Sequence, residues 1–119
     1  MYGLPADFDA TVFVNQELAQ VSFTINTVHL VFDDGKMAIT LEGAYVTKLD
    51  AGAEAKRQSP PIRSSDLMSF IGRRVSSAEA AETGVLTLQF EGGGSLACLD
   101  EMKEYEAYHI YVNGREIVV

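Results

Sequence analysis

The chain reads as mainly β, a β-rich α+β fold in which two tandem, pseudo-symmetric antiparallel units form one sandwich or barrel-like domain. Three features predict this: short segments of apolar–polar alternation, glycine-bearing turns between them, and a motif that occurs twice. At 119 residues the chain has the size of one domain, so 1–119 is read as a single domain. Its repeats lie at about 4–49 and 66–112, joined by an exposed linker, 50–65.

The first strand is expected where Val21, Phe23 and Ile25 alternate with polar neighbours and point one way. Thr27 to Phe32 and Lys36 to Leu41 follow as a hairpin around Asp33-Asp34-Gly35, whose glycine can take the positive φ a tight turn requires. Ala44 to Leu49 reads as a further strand. From Asp50 to Ser65 the composition turns to Ala, Gly, Ser and charge with Pro60-Pro61, and no periodic element is expected. A short helix near 66–71 is expected next. Ser64 or Ser65 can accept from its first free amides, Leu67, Phe70 and Ile71 share a side, and Gly72 suits a left-handed stop.

The second half continues with Arg74 to Ser76, then Val85 to Phe90 and Ser95 to Leu99 joined by Glu91-Gly92-Gly93-Gly94. Glu106 to Val112 and Arg115 to Val119 are joined by Asn113-Gly114, the pair best suited to a type I′ turn. The duplication emerges when the halves are laid side by side. Phe13 to Leu18 corresponds to Phe70 to Val75, Val28 to Gly35 corresponds to Leu86 to Gly93, and Gly43 to Val46 corresponds to Glu106 to His109. A unit that cannot bury its apolar face alone stacks on its copy.

Net charge is −8, from 17 acidic and 9 basic residues, which repels phosphate backbones and anionic lipid. Neither nucleic acid nor a membrane is expected as a partner. Lys56, Arg57, Arg63, Arg73 and Arg74 nevertheless concentrate five of the bases in one segment, read as solvated charges. No apolar run reaches bilayer length, and Met1 to Ala10 lacks the basic-then-apolar pattern of a signal peptide, so a cytoplasmic location is expected. The lone cysteine, Cys98, lies in an apolar run and reads as core.

Chemistry is harder to find. His29 and His109 fall at non-equivalent positions of the two units, and no spacing supplies three clustered ligands, so neither metal nor any other cofactor is expected. There is no Gly-x-Ser-x-Gly elbow, and Gly92-Gly93-Gly94 leads into a strand rather than the helix of a phosphate loop. The chain is therefore read as non-enzymatic.

The candidate site is the acidic segment Asp100, Glu101, Met102, Glu104, Tyr105 and Glu106. Its carboxylates can meet a basic protein while Met102 or Tyr105 anchors the contact. The alternative is a small-molecule groove between the units, lined by the equivalent residues Tyr45 and Tyr108. A third reading is a homo-oligomer joined through the edge strand Arg115 to Val119.

The second unit's motifs are Phe70-Ile71-Gly72, Leu86-Thr87-Leu88-Gln89-Phe90-Glu91-Gly92-Gly93, Asp100-Glu101, Tyr105-Glu106-Ala107-Tyr108-His109-Ile110 and Gly114-Arg115-Glu116-Ile117-Val118-Val119. With these the chain resembles a widespread family of small uncharacterised bacterial proteins carrying two such units and a Tyr-Glu-x-Tyr-x-Ile strand. Ala107 stands where that family usually has serine, and 50–65 has no part in the resemblance. The resemblance implies the duplicated β fold. Antitoxins and immunity proteins of similar size and charge supply an analogy for a partner: a basic, toxin-like protein masked by an acidic surface.

Overall fold

The structure is a computed structural model that describes residues 3–33, 35–101 and 106–119. Among the described residues ten strands make two antiparallel sheets. The first half supplies β1 (Leu18–Phe23), β2 (Val28–Phe32), β3 (Met37–Leu41), β4 (Tyr45–Lys48) and β5 (Lys56–Gln58). The second supplies β6 (Val75–Ala80), β7 (Leu86–Phe90), β8 (Ser95–Cys98), β9 (Tyr108–Val112) and β10 (Arg115–Val118). The sheet orders are β1-β2-β3-β9-β10 and β5-β4-β8-β7-β6. Each sheet keeps two edge strands, so the fold is a sandwich and not a closed barrel. Among the described residues no helix is long and apolar enough to cross a membrane.

These orders expose an exchange between the units. Three strands of each unit form a meander, and the hairpin that follows crosses over to complete the other unit's sheet: β4 pairs with β8, and β9 pairs with β3. Tyr45 pairs with Cys98 as Tyr108 pairs with Leu41, which fixes β4 and β9 as equivalents. By the same register β5 matches β10. The segment 50–65, expected to lack a periodic element, therefore contributes a strand of its own. Lys56-Arg57-Gln58 carries no apolar residue, and only pairing with β4 makes it a strand.

Backbone hydrogen bonds repeat this symmetry where the two units meet. Asn15 N donates to Val75 O and Gly72 N donates to Leu18 O, both at 2.8 Å. Leu18 N donates to Arg73 O at 3.0 Å, and Val75 N to Gln16 O at 2.9 Å. Glu17 and Arg74 form an antiparallel bridge between them. Asn15 and Gly72 both take positive φ, 71° and 90°, at equivalent positions, and asparagine is among the few residues besides glycine that tolerate it. The first strand of each unit shifts register after its first residue, at Leu18/Gln20 and at Val75/Ser77.

The helix expected at 66–71 is a single 3-10 turn, Leu67–Phe70, with Ser65 Oγ accepting from Leu67 N at 3.1 Å. The turn stops after four residues because Ile71 leaves it in extended backbone ahead of Gly72 at φ 90°. Leu67 and Phe70 are buried, but Ile71 leaves the turn in extended conformation and is exposed. A matching 3-10 turn, Ala10–Phe13, opens the first unit, with Asp9 accepting from Thr11 N at 3.0 Å. The alternation expected from Val21 to Ile25 also stops early: β1 ends at Phe23 and Ile25 is exposed in the turn that follows.

The core lies between the sheets. Leu18, Val28, Leu30, Phe32, Ile39 and Leu41 face Leu86, Leu88, Leu96 and Cys98, with Phe13 and Phe70 closing it at the equivalent 3-10 turns. Phe13 meets Phe32 edge-on at 5.5 Å, whereas Phe70 stacks on Phe90 at 4.8 Å. Burial pushes the Cys98 thiol up, so it stays protonated within the core. The hairpin turns are as their glycines require, with Gly35 at φ 82° and Asn113 and Gly114 at 49° and 84°.

Candidate functional site

The acidic segment joins β8 to β9, and its described residues are Asp100, Glu101 and Glu106. Met102, Glu104 and Tyr105 lie outside the described residues. Asp100 is half-buried, its carboxylate lying against Gly84 in the turn between β6 and β7. Glu101 is exposed and reaches β5, where Arg57 Nη1 donates to Oε2 at 3.1 Å and Nη2 to Oε1. The guanidinium beside it holds the Glu101 carboxyl below its ordinary value of 4.5. Glu106 is half-buried and leads into β9.

A low carboxylate pKa in the folded state adds stability above the ordinary value, and that stability fades as pH falls through the folded one. Glu101→Gln is therefore expected to flatten the fall of the unfolding temperature between about pH 5 and pH 3. Thermal unfolding of both proteins across that interval checks it. Side chains exposed by 57% and 53% keep the effect small.

More carboxylates gather beside this segment than its sequence contains. Ala107 N donates to Val119 O, while Ala107 O accepts from Glu42 N at 3.0 Å and from Gly43 N at 2.8 Å. The β3–β4 and β8–β9 crossovers thus meet at one rim of the sandwich, where the Glu42 backbone bonds that of Ala107, the residue after Glu106. On the outer face of the same sheet, His109 Nδ1 lies 2.7 Å from Glu116 Oε2. Its Nε2 lies 3.0 Å from Glu42 Oε1, with poor hydrogen-bond alignment. Tyr111 also donates to Glu116, at 3.0 Å, and His109 foremost holds the Glu116 carboxyl low.

The exchange also brings the two histidines into one row. Thr40 of β3 pairs with His29 on one side and His109 on the other. His29 Nδ1 is 3.0 Å from Thr40 Oγ1, and Nε2 is 2.9 Å from Thr27 Oγ1. Among the described residues no group of three or more His, Cys, Asp or Glu side chains is placed to hold a metal ion. Sequence alone misses Glu42 and the histidine row, because nothing in it says which sheet β9 joins, whereas Glu116 pairs with Tyr111 within the hairpin that Asn113-Gly114 implies. The available signal was alternation, which puts His109 and Tyr111 on one face.

Tyr45 and Tyr108, expected to line a groove between the units, are both fully buried inside the sandwich. Tyr108 donates to Gly84 O at 2.6 Å, and the Tyr45 hydroxyl meets Ser65 Oγ at 3.2 Å. Burial raises both phenols above their ordinary range. Their equivalence is that of two core residues, and the groove they were expected to form is filled by their own rings.

The duplicated sandwich begins at the first 3-10 turn, Ala10–Phe13, and a family model covers the chain from that point: a family of unknown function, DUF6188, matches residues 10–119. The chain belongs to DUF6188. The match to DUF6188 spans both units and the segment between them that carries β5. No curated protein and no solved structure matches this DUF6188 chain.

Proposed function

We propose that this chain is a non-enzymatic binding protein whose acidic rim, from Asp100 to Glu106 and extended by Glu42, covers a basic surface on another protein. The observation that carries the reading is the meeting of the two crossovers at Ala107, which adds Glu42 to a segment already rich in carboxylates. In a chain of net charge −8, carboxylates gathered at one rim accelerate encounter with a cationic partner and disfavour anionic ones. The Arg57–Glu101 pair sets a threshold, since an incoming cation must compete with a bidentate contact already made.

An antitoxin-like or immunity-like role, masking a basic toxin-like protein, is the finer form of this reading and rests on size and charge. The same reading has it act in the cytoplasm, where a lone thiol such as Cys98 stays reduced. Nucleic acid and anionic membranes are disfavoured by the same charge.

The experiment is affinity capture at moderate salt, with the wild-type chain and with a variant reversing Asp100, Glu101, Glu104 and Glu106 to lysine. A basic protein retained by the wild type is expected to bind the variant more than about tenfold more weakly. Circular dichroism shows that the variant is folded. Equal retention by a folded variant rejects the surface.

A further inference from the structure

The duplication supplies an internal control for exposed apolar side chains, because each position has a counterpart doing the same structural work in the other unit. Thr24 N donates to Thr27 O as Ala81 N donates to Val85 O, both at 2.9 Å, so the turns after β1 and β6 are equivalent. Phe23 thus matches Ala80 and Met68 matches Thr11 in the paired 3-10 turns, while Ile25 lies in a turn whose counterpart, one residue longer at Glu82-Thr83-Gly84, has no apolar residue. Phe23, Ile25 and Met68 are exposed by 40%, 77% and 60%. The fold does not need them, since the other unit builds the same surface from small or polar residues.

Phe23 and Met68 border one hollow, and Ile25 follows Phe23 in the adjoining turn. Phe23, Ile62, Arg63, Ser64, Ser65 and Met68 line a depression of about 250 Å³ between the end of β1 and the approach to the second 3-10 turn. Its counterpart, between the end of β6 and the approach to the first turn, is a hollow of about 360 Å³ lined by Leu4, Pro5, Phe8 and Ala80, with Glu82 as its charged member. Arg63 is the single charged residue lining the hollow, and it matches Ala6. Among the described residues it makes no ion pair, in a chain where acids outnumber bases 17 to 9. Both hollows have an apolar lining, and they differ in charge, with Arg63 at this one and Glu82 at the other.

We propose that this hollow docks a short segment of another protein that carries an apolar side chain beside a carboxylate. The apolar side chain fills the space between Phe23, Ile62 and Met68, and the carboxylate meets the Arg63 guanidinium at the rim. This surface shares no residue with the acidic rim, so the two can be tested separately.

The probe is a random peptide library displayed on phage, selected against the full chain, with the enriched peptides then titrated by fluorescence anisotropy. The expected result is enrichment of aromatic or aliphatic residues next to Asp or Glu. Their affinity should fall more than about tenfold for Phe23→Ala/Ile25→Glu/Met68→Thr, and similarly for Arg63→Glu. The triple variant installs residues the other unit already carries, and its thermal unfolding verifies that it folds. Absence of enrichment, enrichment of basic or purely apolar peptides, or equal binding to the folded triple variant overturns the proposal. A wild-type dimer in sedimentation that the triple variant abolishes also overturns it, in favour of a second copy of this chain.

Discussion

Phe70→Ala is expected to destabilise the chain by about 3–5 kcal/mol, the cost of deleting a fully buried aromatic ring whose surroundings relax only in part. Phe70 closes the core at the second 3-10 turn, stacks on Phe90 at 4.8 Å, and carries the Arg73 guanidinium 5.7 Å from its centroid. Against the roughly 5–15 kcal/mol that holds a typical domain, this is a large share. Urea unfolding measures it as a lower midpoint at unchanged slope. Phe13 occupies the equivalent place against Phe32, so Phe13→Ala should cost a comparable amount. A loss below about 1 kcal/mol for either would mean that the 3-10 turns do not close the core.

Gly94→Ala is expected to cost about 1–3 kcal/mol through overpacking. Gly94 begins the return from the β7–β8 turn, where Phe90 N donates to Gly94 O at 2.8 Å. A Cβ there would approach the Leu49 carbonyl oxygen to 3.1 Å and drive into the Phe70 ring. The backbone oxygen belongs to the segment that follows β4 and the ring is wholly buried, so neither yields readily. Because the main obstacle is Phe70, the two substitutions share one cause and should not add. In the Phe70→Ala background Gly94→Ala should cost little or even restore some stability, a coupling a double-mutant cycle reads directly. Full additivity would show that the Phe70 ring is not what excludes a side chain at position 94.

Much of this architecture was legible in the residues because its causes are local. Alternation in Val28 to Phe32 and Leu86 to Phe90, and turn chemistry at Gly35 and Asn113-Gly114, act over a few residues and survive any rearrangement of strands. The hairpin exchange was not legible, because periodicity says which face a strand buries but not which sheet it joins. That omission explains the missed contacts between the units. With β9 in the first sheet, His109 comes beside Thr40 and within reach of Glu42, whereas Glu116 reaches it inside the β9–β10 hairpin. With β4 beside β8, Tyr45 and Tyr108 turn into the core instead of bordering a groove. Strand β5 escaped because Lys56, Arg57 and Gln58 have no apolar member to alternate. The acidic segment was visible from composition, whereas its engagement with Arg57 required the fold.

Hydrogen exchange of the chain alone and in complex with the captured basic protein is the decisive test of the proposed acidic rim. Slowed exchange is predicted at residues 99–101 and 106–107 and at Glu42 and Gly43, the backbone that carries the rim. Unchanged exchange there, with protection at 62–68 or along β6 instead, would contradict the account.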